Sequence, residues 1–148
     1  MEYEFVQMNL EYAEQMNTWE YNGHVKTIYV EPYLKSLDDR TGKITGPEGC
    51  EGFAVLAQNT LVGLFEYYFK EEILEIGLGL NPDLVEQGHG EAFVKAGIAF
   101  GIKNYNYKQE FVKLDVDINN NSAIRVYKKA GFKEYKREAD SIMMRKMV

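Results

Sequence analysis

A chain of 148 residues is about the length of one domain, enough to bury roughly two thirds of its unfolded surface without disulfides or a metal staple. Its composition (45% hydrophobic, 27% charged, 14% aromatic) argues against disorder, and a formal charge of −6 argues against nucleic acid and anionic membrane, whose binding needs a net basic surface. Lone Cys50 with His24 and His89 makes neither an internal disulfide nor a typical structural zinc set, and the chain lacks both a signal-peptide start and an apolar run of the ~18 residues a membrane span needs, so the expectation is one metal-free, reduced, cytoplasmic domain over residues 1–148.

Residues 2–8 alternate in the manner of a strand, and Asn9 can cap a helix whose stripe Leu10, Ala13, Met16, Trp19 predicts that it runs to about residue 19. The stretch to about residue 47, with Ile28, Tyr29, Tyr33 and Leu37, reads as a second helix plus loops. Residues 41–52, with four glycines and a proline, read as exposed turns. A meander follows: a strand over 53–57, a turn at Gln58-Asn59-Thr60, a strand over 61–69, a turn at Glu71-Glu72, and a strand over 73–80 ended by Asn81-Pro82-Asp83. Gly88-His-Gly90 then opens a helix with apolar Phe93, Ala96, Ile98 and Phe100. Residues 111–118 are a strand, Asn119 to Ser122 cap a helix bearing Ala123, Ile124, Tyr127 and Ala130, and Gly131 stops it. Strands over 132–137 and 141–147 complete the chain.

The order is β-α-α-β-β-β-α-β-α-β-β, a mixed α/β fold: an antiparallel meander, then a strand-helix-strand unit whose strands are parallel neighbours, then C-terminal strands. The most informative segment is the glycine turn between strand 73–80 and the following helix, because free amides at a helix N-terminus make an anion cradle. Two glycines alone also serve purely conformational ends. No GxGxxG fingerprint or P-loop is present, since Phe93 stands where a third glycine is required.

Gln87-Gly-His-Gly90-Glu-Ala92 resembles the Gln/Arg-x-x-Gly-x-Gly/Ala signature of the GNAT superfamily of acetyl-CoA-dependent N-acetyltransferases. A second segment of that family is matched by Leu114, Val116, Asn120, Ala123, Ile124, Tyr127, Gly131 and Phe132. The likeness runs from about residue 53 to the C-terminus and is looser before it, through Trp19, Tyr21 and Tyr29. It implies a GNAT-like fold, with acetyl-CoA in a cleft between the parallel strands. Amides of Gly88, His89, Gly90, Glu91 and Ala92, within the motif that Gln87 opens, would hold the pyrophosphate. The main chain of Leu78, Gly79 and Leu80 would pair with the pantetheine arm and supply an amide to the oxyanion.

The implied reaction has two proton problems: an alkyl amine of pKa ~10 must lose a proton, and a thiolate of pKa ~8.5 leaves better protonated. Tyr127 resembles the family's general acid, although a tyrosine on an amphipathic helix is commonly packing. Asn120 resembles a residue bonding the CoA arm; its alternative is a helix cap shared with Asn121 or Ser122. Glu75 and Asp115 are the candidates for the base, with water alone or another residue as the remainder, because strand alternation does not say which face meets substrate.

The implied acceptor is a primary amine of a small molecule, protein or peptide, and Glu20, Glu66 and Glu75 hint that it is cationic, the first two reading equally as solvated charges. A non-catalytic acyl-CoA sensor is the alternative, and an interaction module would expose an apolar patch around Trp19, Tyr21 and Tyr29. The last strands could pair across subunits as a homodimer. Asp115-x-Asp117-x-Asn119 is no EF-hand, since Asn120 and Val126 replace the required glycine and glutamate. Cys50, flanked by acids, is a poor nucleophile.

Overall fold

The computed structural model describes residues 1–21 and 28–148. Its elements are β1 (Glu4–Gln7), α1 (Leu10–Met16), α2 (Glu31–Lys35), β2 (Glu51–Ala57), β3 (Thr60–Lys70), β4 (Ile73–Leu80), α3 (Gly90–Asn104), β5 (Phe111–Asp117), α4 (Asn121–Ala130), β6 (Lys133–Arg137) and β7 (Ser141–Met147). His24, weighed above as a metal ligand, lies outside the described residues. The strands form one mixed sheet in the order β1-β2-β3-β4-β5-β7-β6. β4 and β5 run parallel with Glu75 opposite Lys113, as the strand-helix-strand reading requires, and β7 inserts between β5 and β6, antiparallel to both.

Local chemistry explains the element ends. Asn9 caps α1 through its side chain, which accepts from the Tyr12 amide at 2.8 Å. The helix stops at Met16 and not near residue 19: the Asn17 amide still bonds Ala13 in helical fashion, but the Thr18 amide and hydroxyl turn onto Gln15 at 3.2 and 2.7 Å and the Trp19 amide onto Met16 at 3.0 Å, each three residues back and not four. Trp19 is buried all the same. The second helix is only five residues long and carries Pro32 in its first turn, where the missing N–H costs nothing. Both two-residue hairpin turns, Gln58-Asn59 and Glu71-Glu72, hold non-glycine residues at positive φ (51° and 62°, 52° and 69°), the twist that joins strands tightly. α3 begins at Gly90, with residues 85–88 forming the turn before it.

The chain divides into two compact units, Met1–Glu66 with Leu78–Leu84, and Tyr67–Gly77 with Val85–Val148. In the first, Met8, Ala13, Met16, Trp19, Val30, Tyr33, Ile44, Ala54, Leu61 and Leu64 make a continuous core. Cys50 is buried here, against the expectation of an exposed loop, because Tyr33 draws the loop inward: a Cβ at Gly46 or Gly52 would collide with the Tyr33 hydroxyl. The second unit buries the α3 face of Phe93, Val94, Gly97, Ile98 and Gly101, with Ala96 and Phe100 at its margin. Gly101 lies where a Cβ would meet Tyr67 and Leu74, and the Tyr67 hydroxyl donates to the Gly97 carbonyl at 2.6 Å, which seats α3 closely on the strands. Among the described residues no helix is long and apolar enough to cross a membrane.

Candidate functional site

In the second unit, the turn at residues 85–88 swings through positive φ at Glu86 (62°) and Gly88 (83°) before entering α3. A helix start leaves its first amides without intrahelical partners, and no side chain among the described residues caps this one at its N-cap, His89. Gln87 and Gly88 are exposed, and His89, Gly90 and Glu91 half-buried. The arrangement suits an anion: donors and the positive dipole end converge on an exposed loop. Glu91 spends its charge on Lys95, one helical turn away at 2.9 Å, and that ammonium lowers its pKa. Arg125 of α4, which sequence reasoning passed over, reaches the same turn, its guanidinium 3.8 Å from Glu86. Its signal was a cation two residues before Tyr127 on a helix of strong amphipathic pattern.

Gly90 ties this turn to α4. A Cβ there would stand 2.8 Å from Cγ2 of Val126, so the two helices touch at a position where only glycine fits without displacement. Tyr127 is the next residue. It is only 8% exposed, its ring lies edge-on to Phe132 at 6.0 Å, and burial raises its pKa. Its hydroxyl is a neutral proton donor throughout the ordinary pH range, and no hydrogen bond among the described residues commits it elsewhere. Asn120 takes the capping role that was its alternative reading. Its side-chain oxygen accepts from the Ala123 amide at 3.1 Å, which leaves the side-chain N–H₂ for any ligand.

The two candidate carboxylates share one sheet face. Glu75 lies opposite Lys113, and Asp115, two residues further along β5, projects to the same side. Leu74, Ile76, Val112, Leu114 and Val116 are buried on the other face. Their surroundings differ: Asp115 is exposed, whereas Glu75 has a 17% exposed side chain held 3.1 Å from Lys70, whose ammonium also stands 5.9 Å from the Tyr68 ring centre.

In the first unit, Leu78, Gly79 and Leu80 form the half-buried end of β4. The Asn81 amide donates to the Val62 carbonyl at 2.7 Å, anchoring that end on β3, and the Asn81 side chain bonds Leu61 and the Asp83 amide. Tyr21, noted above only as an aromatic, donates its hydroxyl to the Leu80 carbonyl.

Two of the alternative readings fail. Glu66 is not a solvated charge: it is 8% exposed and accepts the Tyr33 hydroxyl at 2.6 Å, because β3 points it inward opposite α2. Trp19, Tyr21 and Tyr29 do not form a patch, since Trp19 is core, Tyr21 half-buried and only Tyr29 open, at 60% exposure.

Residues 11–132 match the model of the Acetyltransferase (GNAT) family. No curated protein matches the chain by sequence. Among solved structures the chain is similar to the N-acetyltransferase PseH of Campylobacter jejuni in complex with acetyl coenzyme A, with 18% identity over 99% of each chain and a TM-score of 0.72. It is also similar to a dodecameric spermidine N-acetyltransferase of Vibrio cholerae, with 17% identity over 98% of this chain and 93% of that one and a TM-score of 0.68. A GNAT-family acetyltransferase of Bacillus anthracis is 22% identical over 65% of each chain, at a TM-score of 0.55. At these identities the structural likeness speaks for the fold.

Proposed function

Because the chain belongs to the GNAT acetyltransferase family, we propose that it transfers the acetyl group of acetyl-CoA directly to a primary amine of a small molecule, protein or peptide, in the cytoplasm. The observation that carries this reading is the start of α3, where a turn with Gly88 at φ 83° opens onto main-chain donors that no described side chain caps.

The residues present fit such a cosubstrate. A Cβ at Gly88 would meet nothing within 4 Å, so the loop beside the free amides is open. The amides of Gly88, His89, Gly90, Glu91 and Ala92, in the motif opened by Gln87, take the pyrophosphate. The main chain of Leu78, Gly79 and Leu80 takes the arm and gives an amide to the developing oxyanion. Asn120 contributes its free side-chain N–H₂. When bound, acetyl-CoA supplies an acyl carbon activated as a thioester.

The chain's own part is proton management. Glu75, its carboxylate held in place 3.1 Å from Lys70, receives a proton from the acceptor ammonium through water. Tyr127 keeps its proton on Oη until the departing sulfur needs it, since burial makes the phenolate costly. Asp115, exposed and farther along the same face, is the second candidate for the base.

Isothermal titration of acetyl-CoA and CoA, followed by thiol release against a panel of amines, tests the proposal. Binding with amine-dependent CoA release supports it and begins to name the acceptor. Binding without release from any amine favours the acyl-CoA sensor, and no binding overturns the assignment of the cradle.

A further inference from the structure

β4 ends in a sequence that ought to be loose. Gly77 and Gly79 alternate with Ile76, Leu78 and Leu80, and glycine in a strand loses the most backbone entropy on ordering and packs nothing of its own. The structure holds this end from several sides. The Asn81 amide donates to Val62 on β3. In a trans peptide the preceding carbonyl points the opposite way, so the Leu80 carbonyl faces away from β3, and there it accepts the Tyr21 hydroxyl. One peptide plane, Leu80 to Asn81, is thus fixed at both of its polar groups. On the face above, Ile28 fills the place of the missing Gly79 side chain, since a Cβ there would stand 2.8 Å from Ile28 Cδ1. Burial raises the Tyr21 pKa, so its hydroxyl remains a donor at any working pH.

From this geometry we propose that Tyr21 is a positioning residue of the acyl-transfer site: by holding the Leu80 carbonyl it sets in advance the main-chain edge of Leu78, Gly79 and Leu80 along which the pantetheine arm is laid. The inference rests on the function proposed above. Its physical content is preorganisation. An edge with Gly79 inside it and Gly77 beside it would otherwise have to be ordered by the ligand, and that cost would be subtracted from affinity. A carbonyl has two lone pairs, so the bond to Tyr21 does not block the arm. Tyr21 lies beyond the end of α1, so the first part of the chain, by this reading, shapes the cosubstrate edge.

The test compares two ligands on the full chain: acetyl-CoA, and adenosine 3′,5′-bisphosphate, which has no arm. Tyr21→Phe removes one oxygen and keeps the ring. It should weaken acetyl-CoA by about 5- to 10-fold, the usual scale of one hydrogen bond, and change the bisphosphate less than twofold. Tyr21→Gln, which restores a donor, should recover part of the loss. Amide hydrogen exchange at Gly79, Leu80 and Asn81, read without ligand, should quicken about tenfold in Tyr21→Phe. Equal weakening of both ligands means a general structural effect and overturns the proposal, as do unchanged acetyl-CoA affinity or unchanged exchange. If the wild-type chain binds no acetyl-CoA while exchange still quickens, the tether is real but the functional reading fails, and the positioning role falls with it.

Discussion

Tyr127 carries the sharpest residue-scale consequence, because its ring and its hydroxyl have separable jobs. The ring packs on Phe132 at 6.0 Å and survives truncation to phenylalanine. The hydroxyl, held protonated by burial, is lost. Tyr127→Phe should therefore fold normally, keep acetyl-CoA affinity within about twofold, and lose roughly 100-fold in kcat, the lower end of what a positioned acid supplies; steady-state kinetics beside titration calorimetry would read both. The base can be separated in the same way. Glu75→Gln should cost at least about tenfold in kcat/KM near pH 7, and the deficit should shrink toward pH 9–10 as an acceptor of pKa ~10 begins to lose its own proton to solvent. Asp115→Asn should stay within about twofold. A pH-rate series in which Asp115→Asn is the damaged variant would reverse the assignment, since both carboxylates stand on one sheet face and differ mainly in burial.

At the scale of elements, the contact of Gly90 with Val126 decides whether α3 and α4 keep their registry. Gly90→Ala should lower stability by about 1–3 kcal/mol, the usual cost of an extra methyl in a filled space, and should blur the turn before it. Val126→Ala, placed on the same chain, should recover most of that loss, because the added Cβ stands 2.8 Å from a Val126 methyl; chemical denaturation of the four members of this cycle measures the coupling. Elements of this kind were largely legible in advance. Alternation marked β4 at its observed bounds, Asn9 and Asn120 announced the two caps they make, and Gly131 ends α4 at φ 107°. Less legible was whatever depends on partners distant in sequence. Thr18 could not be told from a helical residue until its hydroxyl bonded Gln15. The place of β7 between β5 and β6 is a choice among neighbours that alternation cannot express.

Across the whole molecule the same limit separates the two kinds of site residue. The glycines of the proposed cradle and Tyr127 lie in contiguous motifs and so could be nominated from the sequence, whereas Tyr21, Glu66 and Arg125 take their meaning from residues 59, 33 and about 39 positions away or reach a turn on another element. Glu66 in particular read equally as a pocket acid and as a surface charge, and the Tyr33 hydroxyl that donates to it at 2.6 Å shows it to be inside. Such buried phenols give the molecule a collective property. Desolvation raises the pKa of Tyr21, Tyr33, Tyr67 and Tyr127, and for Tyr33 the Glu66 carboxylate adds to it. In the unfolded chain these groups release protons near pH 10, while in the folded chain they retain them. Above that point the folded state binds more protons than the unfolded state, so stability fully present below about pH 10 is lost as pH rises, by up to about 1.4 kcal/mol per pH unit for each phenol. Thermal unfolding followed by circular dichroism should give a nearly level Tm from pH 7 to about 9.5 and a steep fall beyond. Tyr33→Phe should begin from a lower Tm at neutral pH, having left Glu66 without that donor, and should then fall less steeply in alkali; a slope equal to that of the wild type would mean that the Tyr33 proton is not linked to folding.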